Sequence, residues 1–333
     1  PTVNPGYCVE YFKKCGRVDE KNAALMRETQ KVYTALGAVM TYSCTPYLFG
    51  NIPRYGETVS FSETSVSVYA NSVLGARTNR ESSASALCAA ITGFVPEYGV
   101  LLQENRLGQI NVQVEVELES EFDYALLGLN AKKIGYGVPV FCGLRSDTIT
   151  TEKLMALGTQ LNVASVVDMF HVVGVTPDAK SAEQAFGGKT PERTVVITKQ
   201  DLEIQRALLT PETPDRIDFV ILGCPHYTYN QICHAARLLE AAPSTVPVWI
   251  LTSTANITLA YSNGVAGVLE RSGAQLIPDT CVDEAVCWGY LAGKHGVTDS
   301  PKCAYYMQSF GVKLAVSDAD TCLRWANLGG AEA

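Results

Sequence analysis

Short apolar runs alternate with longer amphipathic segments through the second half of the chain. The runs are rich in β-branched and aromatic residues, which favours strands, and the longer segments repeat their apolar residues at helical spacing. The predicted strands span residues 166–171, 194–198, 219–222, 248–251 and 275–277. The predicted helices span residues 152–164, 181–186, 199–208, 230–240 and 256–272. This alternation predicts an α/β fold with a parallel sheet covered by helices on both faces.

The first half follows the same alternation less regularly. Residues 1–16 are predicted as a strand tail and a loop, and the run INVQVEVEL at 110–118 alternates strictly, as a strand with one solvated face does. The other predicted strands span residues 38–42 and 138–142. The predicted helices span residues 18–37, 65–74, 83–91 and 123–133. A polar stretch at 144–151 predicts a domain boundary, with one α/β domain over residues 1–147 and another over 148–333.

Size and composition narrow the class of protein. A chain of 333 residues favours two domains over one, and its 47% hydrophobic residues supply material for two cores. The net charge of −8 and the lack of a basic stripe argue against a nucleic-acid partner. No apolar run approaches the roughly 18 residues that cross a bilayer, and no signal peptide is visible. Eleven widely spaced cysteines, an odd number, argue against a secreted disulfide scaffold and predict a cytoplasmic protein.

The most informative stretch spans residues 43–81, SCTPYLFGNIPRYGETVSFSETSVSVYANSVLGARTNRE. Its glycines and prolines forbid a long regular element over the first half of the stretch. Hydroxyl, amide, thiol and guanidinium groups therefore gather ahead of a short predicted helix, interleaved with aromatic side chains. The pattern indicates an ordered binding site, although an ordinary polar surface loop has a similar composition.

Three cysteines stand apart from the others because each follows a short apolar run that is typical of a strand. Cys44 follows residues 38–42, Cys224 follows FVILG, and Cys281 follows QLIPDT. In parallel sheets the carboxyl ends of the strands share one edge, so these thiols could converge there. Converging thiolates suit iron–sulfur clusters or zinc. The spacing contains no CxxC and is equally compatible with three core cysteines.

Several phrases of the sequence resemble the aconitase X family, in its large or catalytic subunit. They are CTPYLFGNIPRYGE, YANSVLGARTNRE, AAITGFVPEYG with LQENR, GCPH and DTC. The resemblance runs from Pro1 to about Asn327 and implies an aconitase-like, multidomain, three-layer αβα fold with mostly parallel sheets. The opening TVNPGY resembles a point inside the family's large subunit, which implies that an N-terminal part of the natural subunit is missing.

The resemblance also implies a role for the three cysteines. Cys44, Cys224 and Cys281 match the iron-site cysteines of the family in CTPY, GCPH and DTC. They are expected to hold an iron centre or an iron–sulfur cluster of open nuclearity. Three protein ligands leave a coordination position vacant, where a metal can act as a Lewis acid on a substrate hydroxyl and carboxylate.

Other polar residues are candidates for binding a substrate. Guanidinium groups present paired donors to carboxylates, so one of the two arginines in GARTNRE is expected to touch substrate while the other holds the loop. His226 in GCPH is either functional or a satisfied core residue. Lys302 lies in SPKCAYYM, which resembles the family's SGKxAYY with Pro301 in place of the glycine. The candidates are Glu63, Ser65, Asn71, Ser72, Arg77, Asn79, Arg80, His226 and Lys302.

The activity implied by the resemblance is that of a hydro-lyase that dehydrates a small hydroxy acid. The expected general base is a serine on a small swivelling-domain subunit outside this sequence, so no catalytic base is assigned to this chain. The leading substrate is cis-3-hydroxy-L-proline, which yields pyrroline-2-carboxylate, and mevalonate 5-phosphate is the alternative. The phrase GVLLQENR, where phosphate-handling members tend to have HLDENR, favours the proline derivative.

Two hypotheses from other classes stay open on the sequence alone. A non-catalytic iron–sulfur or zinc protein would use four protein ligands and leave no vacant position. A metal-free α/β module that binds a ligand would use the cysteines only as core residues.

Overall fold

The computed structural model describes residues 1–209, 214 and 216–328, and all statements on the structure concern these residues. The strands are β1 Ile110–Val114, β2 Pro139–Cys142, β3 His171–Val172, β4 Arg193–Ile197, β5 Phe219–Leu222, β6 Val248–Thr252, β7 Ala274–Pro278, β8 His295–Thr298 and β9 Lys313–Val316. The α-helices are α1 Val9–Lys14, α2 Glu20–Ala35, α3 Thr64–Ser72, α4 Ser83–Thr92, α5 Glu121–Leu129, α6 Ala131–Ile134, α7 Thr151–Ser165, α8 Ala182–Ala185, α9 Lys199–Leu209, α10 Tyr229–Ala241, α11 Thr254–Ser262, α12 Val265–Arg271, α13 Ala285–Trp288, α14 Pro301–Gln308 and α15 Ala319–Leu328. Short 3-10 helices cover Pro46–Leu48, Gly99–Leu101, Gln103–Arg106, Ser146–Thr148 and Gly289–Leu291.

The chain forms two compact units. The discontinuous unit combines residues 1–49 with the described residues from 209 onward, and the continuous unit spans residues 50–208. The predicted domain boundary after residue 147 lies inside the continuous unit. Strand β2 on one side of that position pairs with β3 on the other, and these backbone hydrogen bonds hold the two segments in one sheet.

The discontinuous unit is built on a five-stranded sheet in the order β7-β6-β5-β8-β9. Every pairing in this sheet is parallel. From β5 the chain moves outward through β6 to β7, and it then returns to the other side of β5 as β8. The strand order therefore reverses between β5 and β8, which is where open parallel sheets form a crevice at the carboxyl ends of their strands.

Helices cover both faces of this sheet because its strands are apolar on both sides. In β5, Val220 and Leu222 pack with α10, α12 and α15, while Phe219 and Ile221 pack with α1, α13 and α14. Burial on both faces explains why β5 is the continuous apolar run FVIL rather than an alternating one. The unit thus has three layers, as the sequence predicted.

The continuous unit contains a four-stranded parallel sheet in the order β3-β2-β1-β4. Strand β1 alternates buried and partly buried residues, which agrees with the alternation of INVQVEVEL. Helix α7 packs against α3 and α5, and Val140 of β2 packs with Ala185 of α8 in a separate cluster. The predicted fold class, α/β with mostly parallel sheets, is confirmed.

The largest departures from the predicted elements lie toward the two ends of the chain. The predicted strand at 38–42 is reduced to an isolated bridge between Val39 and Thr2, and residues 9–14 form α1. Tyr42 has a φ of 42°, a left-handed conformation that a strand cannot contain. Strands β8 and β9 were not predicted. None of the described helices has both the length and the apolar composition needed to cross a bilayer.

A buried polar network holds the continuous unit around Arg106. The guanidinium of Arg106 donates to Asp178 at 3.0 Å and to the carbonyl oxygens of Asn71 at 3.0 Å and Val100 at 3.3 Å. Tyr55 donates its hydroxyl to the same carboxylate at 2.6 Å. Burial lowers the pKa of Arg106, and its ion pair with Asp178 opposes that shift. The LLQENR segment is therefore fixed through its arginine to the end of α3.

His171 of β3 belongs to the same network and is buried as a neutral ring. Its Nε2–H donates to the carbonyl oxygen of Arg106 at 2.7 Å, while its buried Nδ1 has no hydrogen-bond partner among the described residues. Burial lowers its pKa from 6.5, the nearby Asp178 opposes this shift, and the charge of Arg106 adds to it. A second proton would have no acceptor at Nδ1.

We expect His171 to make the unit less stable in mild acid. The pKa of the ring is lower in the folded chain, so the unfolded chain takes up its proton first as pH falls through about 6.5, and stability falls by at most about 1.4 kcal/mol per pH unit. Chemical denaturation at pH 7.5 and 5.5 should show a smaller pH effect in His171→Gln than in the wild-type chain. The control His295→Gln, at an exposed position, should keep the wild-type pH effect. Equal pH effects in all three proteins would contradict the assignment.

Candidate active site

The three cysteines of interest all lie in the discontinuous unit. Cys224 comes two residues after β5, Cys281 comes three residues after β7, and Cys44 comes just before the 3-10 helix Pro46–Leu48. Strands β5 and β7 run parallel in one sheet, so Cys224 and Cys281 leave it at the same carboxyl edge. The structure thus places two of the cysteines where the sequence predicted them.

His226 joins the three cysteine-bearing segments. Its backbone N–H donates to Sγ of Cys44 at 3.1 Å, and its ring Nε2–H donates to the carbonyl oxygen of Thr280 at 2.9 Å. The residue after Thr280 is Cys281, whose Sγ accepts from the backbone N–H of Asp283 at 3.4 Å. His226 is buried and follows Cys224 by two residues, so its position ties all three segments together.

The turn that carries Cys224 depends on a glycine. Gly223 has a φ of +99°, and a Cβ atom there would lie 2.2 Å from the carbonyl oxygen of Leu251 in the neighbouring strand β6. A side chain is therefore excluded both by the left-handed backbone and by the close approach of β6. The peptide bond between Cys224 and Pro225 is cis.

The start of α14 reaches the same edge of the sheet. Ser300, the N-cap of this helix, accepts from the backbone N–H of Cys303 at 3.2 Å and donates its hydroxyl to the carbonyl oxygen of Cys224. Lys302 is buried, and its charge opposes the rise in the pKa of Asp283 that burial causes. The structure therefore brings Lys302 close to the loop that carries Cys281.

In the continuous unit, several predicted polar residues hold the backbone around α3. Glu63 caps this helix by accepting from the N–H groups of Ser65 at 2.5 Å and Val66 at 3.1 Å. The buried amide of Asn71 exchanges two hydrogen bonds with the backbone of Thr78, at 2.8 and 2.9 Å. The hydroxyl of Ser72, also buried, accepts from the N–H of Phe170 at 2.9 Å.

The GARTNRE segment that follows α3 divides its arginines between two environments. Arg77 donates to the carbonyl oxygen of Leu101 at 2.7 Å and to the side chain of Gln103. Arg80 is exposed, and one of its nitrogens donates to Asn162 at 2.8 Å. Between them, Asn79 donates to the carbonyl oxygen of Tyr98 and accepts from the N–H of Val100, both at 3.1 Å. The contacts of Arg77 and Asn79 fasten this segment to LLQENR.

The candidate residues thus fall into two groups, one in each unit. The group in the discontinuous unit consists of Cys44, Cys224, Cys281, His226 and Lys302. The group in the continuous unit consists of Glu63, Ser65, Asn71, Ser72, Arg77, Asn79 and Arg80.

The donor types of the discontinuous unit fit a thiolate-bound metal. Cys44 and Cys281 each accept a backbone N–H at sulfur, a kind of contact that tunes sulfur ligands of iron–sulfur clusters. The structure also places buried polar groups and the positive charge of Lys302 near the segments that carry these cysteines. In the part of the chain that the structure describes, no three His, Cys, Asp or Glu side chains are grouped as a metal site.

The two parallel sheets and their helical connections define a multidomain α/β protein. The crystal structure of Thermococcus kodakaraensis aconitase X (holo-form) matches with a TM-score of 0.85 at 31% identity, covering 98% of this chain and 80% of that one. Sequence profiles of the aconitase X first, second and third domains match residues 2–104, 108–207 and 217–327. The chain therefore belongs to the aconitase X family, which confirms the resemblance seen in its sequence.

Relatives in this family are dehydratases. The phosphomevalonate dehydratase large subunit of Thermococcus kodakarensis is 33% identical over 92% of this chain and 78% of its own length. The protein of the same name from Methanothermobacter thermautotrophicus is 37% identical over 98% of this chain and 79% of its own length. The cis-3-hydroxy-L-proline dehydratase of Pseudomonas aeruginosa is 35% identical over 86% of this chain and 50% of its own length.

We expect Gly223→Ala to destabilise the discontinuous unit, because the new methyl group would press on the backbone of β6. Thermal or chemical denaturation should show a loss of about 1–3 kcal/mol. Gly289→Ala is the matched control, since Gly289 has a φ of −58° and no atom within 4 Å of the position of the added Cβ. The control should stay within about 0.5 kcal/mol of wild type. A Gly223 variant as stable as the control would show that the turn tolerates a side chain.

Proposed function

We propose that this chain is the large, catalytic subunit of a hydro-lyase that dehydrates a small hydroxy acid. The observation that carries the proposal is the joining of three cysteine-bearing segments by His226 at the carboxyl edge of a parallel sheet. The dehydratase names of relatives that align with most of this chain support the reaction class.

Cys44, Cys224 and Cys281 are the residues proposed to hold an iron centre or an iron–sulfur cluster. When bound, such a group supplies a Lewis acid for the hydroxyl and carboxylate of the substrate. Backbone N–H groups donate to the sulfurs of Cys44 and Cys281 and hold them in place. His226 keeps the segments of Cys44 and Cys281 in place through its backbone and its ring.

The exposed guanidinium of Arg80 is the proposed partner of a substrate carboxylate. Arg77 is occupied by Leu101 and Gln103, whereas Arg80 is exposed and donates to Asn162. A guanidinium can form two parallel hydrogen bonds with a carboxylate, which both binds and orients it. Lys302 is proposed to add positive charge beside Cys281.

The base that removes the α-proton is proposed to come from a small subunit of the aconitase X type. The name "large subunit" borne by several relatives supports a partner of this kind. The Pseudomonas relative is about twice as long as the region it shares with this chain, so a fused arrangement exists as a second possibility for the family. We further propose a cytoplasmic location, which suits thiolate ligands kept from oxidation.

The proposed substrate is cis-3-hydroxy-L-proline, with mevalonate 5-phosphate as the second candidate. The phrase GVLLQENR supports the first, because it departs from the HLDENR of phosphate-handling members. Relatives named phosphomevalonate dehydratase support the second, because they align with this chain over more of their own length.

The metal site is tested by iron and sulfide content on chain purified without oxygen. Each of Cys44→Ser, Cys224→Ser and Cys281→Ser should lose most of the iron and the associated electron paramagnetic resonance signal, since each removes one thiolate. Cys15→Ser and Cys88→Ser, at exposed positions, should keep both. A well-folded wild-type chain without iron would remove the proposed mechanism. Iron retained in all three variants would place the metal elsewhere.

The reaction is tested by assaying the chain alone and together with a small subunit of the aconitase X type. We expect turnover only in the mixture, because this chain lacks an assigned base. Cis-3-hydroxy-L-proline should be consumed at least tenfold more efficiently than mevalonate 5-phosphate, measured as kcat/KM. Faster turnover of mevalonate 5-phosphate would reverse the order of the two candidates, and full activity of the chain alone would contradict the need for a partner.

A further inference from the structure

A partly buried carboxyl group lies at the point where the strand order of the five-stranded sheet reverses. Asp299 directly follows β8, and β8 pairs with β5, whose end leads into Cys224. The carboxyl ends of these two strands form the sides of the crevice that open parallel sheets use for ligands. Asp299 therefore occupies the same edge as the cysteine-bearing turn. Nothing in the sequence marked it, because the run TDSPK resembles an ordinary helix start.

The contacts of Asp299 involve residues on both sides of that turn. The hydroxyl of Tyr227 donates to its Oδ2 at 2.5 Å, and the backbone of Gly223 also stabilises its ionised form. Gly223 precedes Cys224 and Tyr227 follows His226. One carboxyl group thus interacts with both ends of the segment 224–226.

Further hydrogen bonds fix the backbone around this turn. The backbone of Tyr227 donates to Leu251 at 3.0 Å and accepts from the side chains of Thr252 at 2.7 Å and Asn256 at 2.8 Å. Ser300, which follows Asp299, donates its hydroxyl to the carbonyl oxygen of Cys224. Asp299 and Ser300, the two residues after β8, therefore both hold the turn. Asp299 bonds to Tyr227 and Ser300 bonds to Cys224.

Burying this carboxyl group is costly for the fold. Its Oδ1 is buried and has no hydrogen-bond partner among the described residues, and burial raises the pKa of Asp299 to about 6. A buried acceptor without a partner destabilises the folded state. The position of the group beside the cysteine-bearing turn offers a reason for its presence.

We infer that Asp299 is a positioning residue that holds the segment 224–226 in the orientation needed to bind a metal. Through Tyr227 it sets the direction of the Cys224 thiol and of His226, without itself touching the metal. The inference rests on the proposed iron site. Contacts beyond the ligands commonly change metal affinity by about 10–100-fold.

The test compares variants that remove or keep the bond to Tyr227. Asp299→Ala and Tyr227→Phe each remove it, whereas Asp299→Asn keeps an acceptor for the Tyr227 hydroxyl. Ferrous iron is added without oxygen to the metal-free chain, and its affinity and electron paramagnetic resonance spectrum are recorded. The first two variants should bind iron about 10–100-fold more weakly and with an altered spectrum. Asp299→Asn should stay within about threefold of the wild-type chain, and Asp320→Ala at an exposed position of α15 is the control.

Unfolding of the metal-free variants shows whether a loss of iron affinity comes from lost positioning or from lost stability. Loss of affinity in variants that unfold like the wild-type chain supports the inference, and wild-type affinity and spectrum in both Asp299→Ala and Tyr227→Phe would overturn it. If Asp299→Ala does not fold, Tyr227→Phe decides, because it leaves the carboxyl group in place.

A wild-type chain that binds no iron would refute the proposed function. The role of Asp299 can then be tested through the reactivity of Cys224. Alkylation of Cys224 by iodoacetamide, followed by mass spectrometry and normalised to Cys15, should then be several-fold faster in Tyr227→Phe than in wild type. An unchanged rate would overturn the role of Asp299.

Discussion

The parallel pairing of β5 with β8 is the constraint on which the discontinuous unit depends. It is the pairing at which the strand order reverses, so the connections leaving the two strands diverge and expose the carboxyl edge between them. The turn with Cys224 follows one strand and Asp299 follows the other. Because both faces of the sheet are covered by helices, this edge is where polar groups can gather without interrupting an apolar layer.

The polar groups at this edge need nearby hydrogen-bond partners for their backbone and their side chains. His226 and Ser300 meet that requirement by bonding to Thr280 and Cys224, which also fixes the segments relative to one another. Similar logic operates in the continuous unit, where Asn71 and Asn79 bond to the backbone rather than to solvent. Side chains that the sequence suggests as binding residues can thus serve instead to hold the backbone of neighbouring segments.

The sequence predicted β5, which is buried on both faces, and β1, which alternates, but it missed β8 although most of β8 is buried. It failed at 38–42 because a short apolar run does not reveal whether a neighbouring strand is available to pair with it. Cys224 and Cys281 could be placed from the runs that precede them. The role of His226 as the link to Cys44 could not, since that hydrogen bond joins residues 182 positions apart in the chain.

The different uses of Arg77 and Arg80 show how the fold selects among equivalent residues. Both carry the same charge and lie three positions apart, so composition alone cannot tell them apart. Leu101 and Gln103 take up the guanidinium of Arg77, because the LLQENR segment is held nearby by the buried Arg106. Arg80 stays exposed and donates to Asn162 instead. The buried Arg106 of one motif thus helps to set the environment of Arg77 in another.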